Sequence, residues 1–239
     1  ASKVFFNEDG LSKEAIKREI DQSLLRLGTD YLDLYLIHRF DYNVPIEETM
    51  EALNDLVKAG KVRALGSSSI LAYQMLMYQN LAKEKGYARF EVMENHYNLL
   101  YREEEREVIP LCKEIDVSLI PYSPLAAGHL ARINWDSDSI RSLSDDVAKR
   151  RYGATEEIDK LIVDRVAKLA KKRNIKMSEV ALSWLYKKGV ASPIIGARKT
   201  KYIDDAINAL NVELSDEEVS YLEELYVPHP LKGPIIKKN

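Results

Sequence analysis

The sequence predicts an α/β fold of the (β/α)8 TIM-barrel type, incomplete at its N-terminus, with about six of the eight parallel strands present. Three observations carry this. Short apolar runs of strand length alternate with stretches of helical spacing, the pattern of a parallel sheet covered by helices. A doubly wound dinucleotide-binding sheet should show G-x-G-x-x-G at its first strand–helix turn, and no such motif occurs among the 10 glycines. Polar residues instead follow the strand ends, at His38, Ser67 to Ser69, Asn95 to Asn98, Tyr122–Ser123 and Arg198–Lys199, on the rim where a barrel carries its site.

The strand runs are "KVFF" (3–6), "YLDLYLIH" (31–38), "VRALGSSS" (62–69), "RFEVMENHY" (89–97), "VSLIPYSPL" (117–125) and "ASPIIGA" (191–197). The first helix lies in "LSKEAIKREIDQSLLRLG", where Ile16, Ile20 and Leu24 share a face, Ser12 is placed to cap the start and Gly28 the end. In "PIEETMEALNDLVKAGK", Pro45 opens a second helix, Met50, Leu53 and Val57 form its apolar face and Gly60 closes it. Further helices are expected at 71–85, 103–115, 156–173, 178–188, 200–209 and 215–225. In the last, Ser215 with Glu218 makes a capping box. The tail 226–239 reads as proline-containing loop.

At 239 residues the chain can bury a sizeable core, and residues 1–239 are expected to form a single barrel domain. A net charge of −3 with 31% charged residues argues against a nucleic-acid surface. Cys112 is the sole cysteine of the sequence, so no intramolecular disulfide can form and a reducing compartment is expected. No segment approaches the ~18 consecutive apolar residues of a membrane span, and no signal-peptide pattern opens the sequence. A cytoplasmic location without membrane partners is the expectation; monomer or homo-oligomer is left undetermined.

His38 stops an apolar strand abruptly. It either bonds a neighbouring loop as a structural residue or takes part in chemistry; the other histidines, His96, His129 and His229, supply no metal-ligand spacing. Lys3 is a surface lysine or a charge that tunes a neighbouring acid or base within a barrel. Cys112 sits on the helical face of Val108, Leu111 and Ile115 and packs there. "GSSSI" is a helix-capping turn or a source of hydroxyls for a ligand. Tyr122 in "PYSPLAAGHLA" packs or stacks on a flat ring. "IIGARKTKYIDDAI" combines a glycine turn, two cations and a helix start, either solvated or an anion site.

The runs "GTDYLDLYLIHRFD", "PIEETMEALNDLVKAGKVRALGSSS", "ENHYNLLYREEEREVIPLCKE", "IPYSPLAAGHLAR" and "SPIIGARK" together resemble the aldo-keto reductases, in their aryl-alcohol-dehydrogenase-like branch, from residue 1 to about residue 226. The resemblance implies a (β/α)8 barrel that holds NAD(P)H across its C-terminal rim and transfers hydride to an aldehyde or ketone. A tyrosine protonates the product, its pKa lowered by a lysine that an aspartate positions, and a histidine orients the carbonyl. Lys3 matches the family lysine and His38 the family histidine. Ser68 and Ser69 match the positions that bond the carboxamide, and Glu94 stands where the family has glutamine. An ionised carboxylate accepts but cannot donate there.

Tyr122 is placed to stack on the nicotinamide, and Ser123, Leu125 and Gly128 belong to the loop that crosses the pyrophosphate. Gly196, Ala197, Arg198 and Lys199, with Tyr202 and Asp205, match the segment that meets the adenosine end. The two cations favour NADPH over NADH. The family's tyrosine and aspartate lie in a D-T-A-x-x-Y-G motif that does not occur in this sequence, which implies a start within the third barrel strand, two β/α units short. The function expected is NAD(P)H-dependent reduction of a small carbonyl substrate. The alternative is a truncated or regulatory relative that binds NADPH or a partner without efficient turnover.

Overall fold

A computed structural model of the protein describes residues 1–134 and 151–236. It resolves into two compact units, one of Ala1–Asn95, Arg106–Ser118 and the chain from Gly233, the other of His96–Glu105 and Leu119–Lys232.

Five strands, β1 (Ser2–Val4), β2 (Leu32–Ile37), β3 (Val62–Ser68), β4 (Phe90–Glu94) and β5 (Ser118–Leu119), lie side by side in chain order. The pairings of β1 through β4 are parallel, with Lys3 opposite Leu36, Leu36 opposite Gly66 and Ser68 opposite Glu94. Strands alternating with helices in this way are the layout of a (β/α)8 barrel, five of whose strands are described. Gly66 sits where the register of β3 against β4 shifts, and a Cβ there would lie 3.0 Å from the Val92 carbonyl oxygen. Only the absence of a side chain lets these backbones approach so closely.

Helix α1 (Lys13–Leu27) begins as its sequence dictates: the Ser12 hydroxyl accepts a hydrogen bond from the Ala15 amide at 3.2 Å, and Gly28 ends it in the left-handed conformation at φ 65°. Its inner face of Ala15, Ile16, Ile20 and Leu24 is buried, and each aliphatic side chain so covered contributes about 1.5–3 kcal/mol. Helix α2 (Ile46–Lys58) buries Met50, Leu53 and Leu56, while Val57 is only half-buried, so the apolar stripe runs one position earlier than its spacing predicts. In α3 (Ala72–Lys85), the Gln74 side chain reaches back to accept from the Leu71 amide at 2.8 Å.

The stretch expected as one helix at 103–115 is a 3-10 turn at Glu103–Glu105 followed by α4 (Val108–Glu114). Pro110 explains the break: it has no N–H to offer the Arg106 carbonyl and its ring crowds that group, so the helix can start at 108 but cannot run back through 106.

In the second unit, α5 (Glu156–Arg173), α6 (Met177–Lys187), α7 (Thr200–Asn208) and α8 (Asp216–Glu223) fall within two residues of their expected ranges. Helix α6 is covered almost all round, with Val180 to Leu185 buried, and its Ser183 hydroxyl bonds the Glu179 and Ala209 carbonyls. Ser215 and Glu218 cap α8 reciprocally, at 3.2 and 3.0 Å. The sixth expected strand, 191–197, is reduced to one bridge between Ile194 and Tyr122. Pro193 and Pro121 remove the donors that a longer ladder needs. The tail is irregular through residue 236, and 237–239 lie outside the described residues.

Among the described residues, Tyr35 is one of several buried side chains with a polar atom that makes no hydrogen bond. It is fully buried on β2, and the unbonded atom is its hydroxyl. Tyr35→Phe is expected to raise stability by about 1 kcal/mol, read as a shift of the urea midpoint at constant slope.

Candidate active site

In the first unit, four predicted residues converge at the C-terminal ends of the strands. Pairing sets their direction: Lys3 lies opposite Leu36, Ser68 opposite Glu94, and alternation along the strands turns these side chains and His38 to one face. The Lys3 ammonium forms an ion pair with Oε1 of Glu94, which also accepts from the Ser68 hydroxyl at 3.5 Å. Glu94 is almost wholly buried and Lys3 keeps part of its stem in water. Ser69 turns out of β3 in the left-handed conformation, φ 49°, and its amide donates to the Glu94 carbonyl at 3.0 Å. Ser67, on the opposite face, packs against the sulfurs of Met75 and Met93.

His38 prolongs β2 by one bond, its amide donating to the Val4 carbonyl at 2.9 Å, with the Phe6 ring edge-on at 4.8 Å. Burial, then the charges of Arg39 and Lys3, lower its pKa to about 4. The imidazole is therefore neutral at physiological pH, with one N–H to give. Sequence reasoning picked out Lys3, His38, Ser68 and Glu94 singly, but not the Lys3–Glu94 bond, which joins residues far apart in the chain. It placed Asn95 on the rim but gave it no role; its amide nitrogen and oxygen are both buried without a partner.

The remaining predicted residues belong to the second unit. Tyr122 lies parallel to the His96 ring at 5.3 Å and holds the Arg151 guanidinium 5.1 Å from its centre. Ser123 is left-handed at φ 55°; its hydroxyl accepts from Arg151 at 3.1 Å and its carbonyl from the Asn98 amide at 2.9 Å. Leu125 is half-buried and opens a turn in which Ala126, Ala127 and Gly128 all have positive φ. Gly196 to Lys199 are exposed and lead into α7, where Tyr202 is also exposed. Asp205 is different: it is buried and ion-paired with Lys176.

Sequence reasoning missed the aromatic centre of this unit. His96 stacks on Tyr101 at 4.2 Å and shares a 2.8 Å hydrogen bond with the buried Tyr152 hydroxyl. Burial first, then nearby cations, lower the His96 pKa to about 3. His96 lies just past a strand end, but only the fold brings Tyr152 to it.

The aldo/keto reductase family model matches residues 1–227. The chain belongs to the aldo/keto reductase family. An aldo-keto reductase of Fusarium vanettenii is 51% identical over 236 residues, 97% of this chain and 62% of that protein. A Schizosaccharomyces pombe protein bearing the name of an aryl-alcohol dehydrogenase is 45% identical, over 96% of this chain and 64% of its own length. The versiconal hemiacetal acetate reductase of Aspergillus parasiticus is 44% identical, over 95% of this chain and 67% of its own. The reductase-family chain thus spans 62 to 67% of the length of these relatives. No helix among its described residues is long and apolar enough to cross a membrane.

The residues present fit a nicotinamide cofactor of the kind this family generally uses. The orphaned Asn95 amide and the hydroxyls of Ser68 and Ser69 supply donors and acceptors of the kind a carboxamide needs. Arg198 and Lys199, exposed before α7, have the charge that phosphate requires.

Proposed function

We propose that the protein reduces aldehydes or ketones to alcohols with NADPH, in a cytoplasmic setting that its single, buried cysteine suits. The observation that carries the reading is the pair Lys3 and His38 at the ends of adjacent, hydrogen-bonded strands, one a cation and the other a neutral imidazole. When bound, the cofactor would supply the hydride. His38 donates its N–H to the carbonyl oxygen and fixes its direction. Lys3 lends positive potential to that oxygen as negative charge grows on it, and the alkoxide left by the hydride takes a proton from water to give the alcohol. Ser68, Ser69 and Glu94 are assigned to the carboxamide end. Tyr122, Ser123, Leu125 and Gly128 are assigned to the nicotinamide face and pyrophosphate, and Gly196, Ala197, Arg198, Lys199, Tyr202 and Asp205 to the adenosine end. The names of the relatives support the reaction class and leave the carbonyl compound open.

Fluorescence titration with NADPH and NADH, followed by NADPH consumption with an aromatic aldehyde, tests the reading. Tighter binding of NADPH is expected, and binding of neither cofactor overturns the proposal. His38→Ala is expected to lower kcat/KM about 100-fold, the scale of a lost hydrogen-bond donor to a developing oxyanion, and a wild-type rate in that variant removes His38 from the mechanism.

A further inference from the structure

We propose that Glu94 is the positioning residue of Lys3: its carboxylate, bonded by the Ser68 hydroxyl, takes the lysine's ammonium and fixes it above the sheet face that also carries His38. The proposal rests on the reading of Lys3 as the lysine of a carbonyl reduction. The assignment of Glu94 to the carboxamide alone leaves the structure unexplained. A carboxylate so deeply buried, with 3% of its side chain exposed, is stable there only if a cation answers it, and Lys3 is the cation that does.

The strand order makes the bond a directed one. Strands β1 and β4 are separated by β2 and β3, so the lysine must lie across two strands to reach Glu94. Between them stands Gly66, paired with both Leu36 and Val92, where a side chain would collide with its neighbours. Oε1 of Glu94 takes both Lys3 and Ser68, so one carboxylate oxygen joins the lysine of β1 to the serine of β3.

Glu94→Gln tests this, because the amide keeps the shape and the packing and loses only the charge. Acylation of Lys3 by an amine-directed reagent, followed by peptide mass spectrometry, is expected to quicken about tenfold in the variant, as an ammonium released from a buried carboxylate would. Glu94→Asp, which restores the charge on a shorter arm, should recover part of the protection. Under turnover, Glu94→Gln should lower kcat about tenfold and move NADPH binding by less than about fivefold, the value of one exchanged hydrogen bond. Unchanged labelling of Lys3 in Glu94→Gln overturns the proposal. So does labelling that rises equally in Glu94→Asp. If the wild-type chain binds no NADPH, the functional reading falls while the labelling result still judges the Lys3–Glu94 pair.

Discussion

Glu104→Gln should stabilise the protein by about 4 kcal/mol at pH 8 and by little at pH 4.5. Glu104 is buried in the second unit, and burial, reinforced by the charge of Glu103, pushes its pKa up from 4.5 to about 8. The folded chain therefore holds a proton that the unfolded chain releases across this whole window. Stability falls as pH rises from the unfolded value and levels off above the folded one. Glutamine has the shape of the protonated acid and no charge to lose. Urea unfolding of both proteins between pH 4 and 9 should show curves that coincide in acid and diverge steadily toward alkali. Parallel curves would mean that Glu104 is solvated and ionised in the folded state.

Asp159→Ala is expected to cost about 3–5 kcal/mol, the range for removing one partner of a buried ion pair. The His229 ring lies between two acceptors, with Nε2 2.9 Å from Asp159 and Nδ1 2.6 Å from the Val227 carbonyl, so both nitrogens must carry hydrogen. Burial works to lower its pKa, and the bond and charge of Asp159 outweigh that, leaving the value raised above 6.5. The sign follows: this contribution is complete below about pH 6.5 and is lost as pH climbs through the folded value. The Thr155 hydroxyl holds the other oxygen of Asp159 at 2.6 Å, while Glu103 accepts from the His229 amide and the Tyr226 hydroxyl. Loss of Asp159 should therefore loosen residues 226–232 first. Hydrogen exchange that quickens in that segment, ahead of α5, is the expected result; uniform quickening would place the damage elsewhere.

Much of the fold was legible because it is written locally. Ser12 and Gly28 bracket α1, Pro45 opens α2, and Ser215 with Glu218 caps α8, each through bonds within a few residues. What failed depended on missing donors: Pro110 split a helix, and Pro193 with Pro121 reduced a strand to one bridge. The candidate site divides in the same way. Lys3, His38 and Ser68 stand at strand ends, a place that period-two patterning marks. The Lys3–Glu94 bond, the Tyr152–His96 contact and the Asp159–His229 pair join residues 91, 56 and 70 positions apart, and no local pattern announces them.

The agreement between strand order and chain order also bears on how the first unit comes into being. Each of β2, β3 and β4 pairs with the strand just before it, across a single intervening helix. No early strand waits for a distant one, so every loop closed is short and its entropic cost small. The unit can grow by accretion, one strand and its covering helix at a time, in the direction in which a ribosome delivers them. Substitutions in β2 and β3 should then slow refolding, whereas those in β4 should mainly speed unfolding.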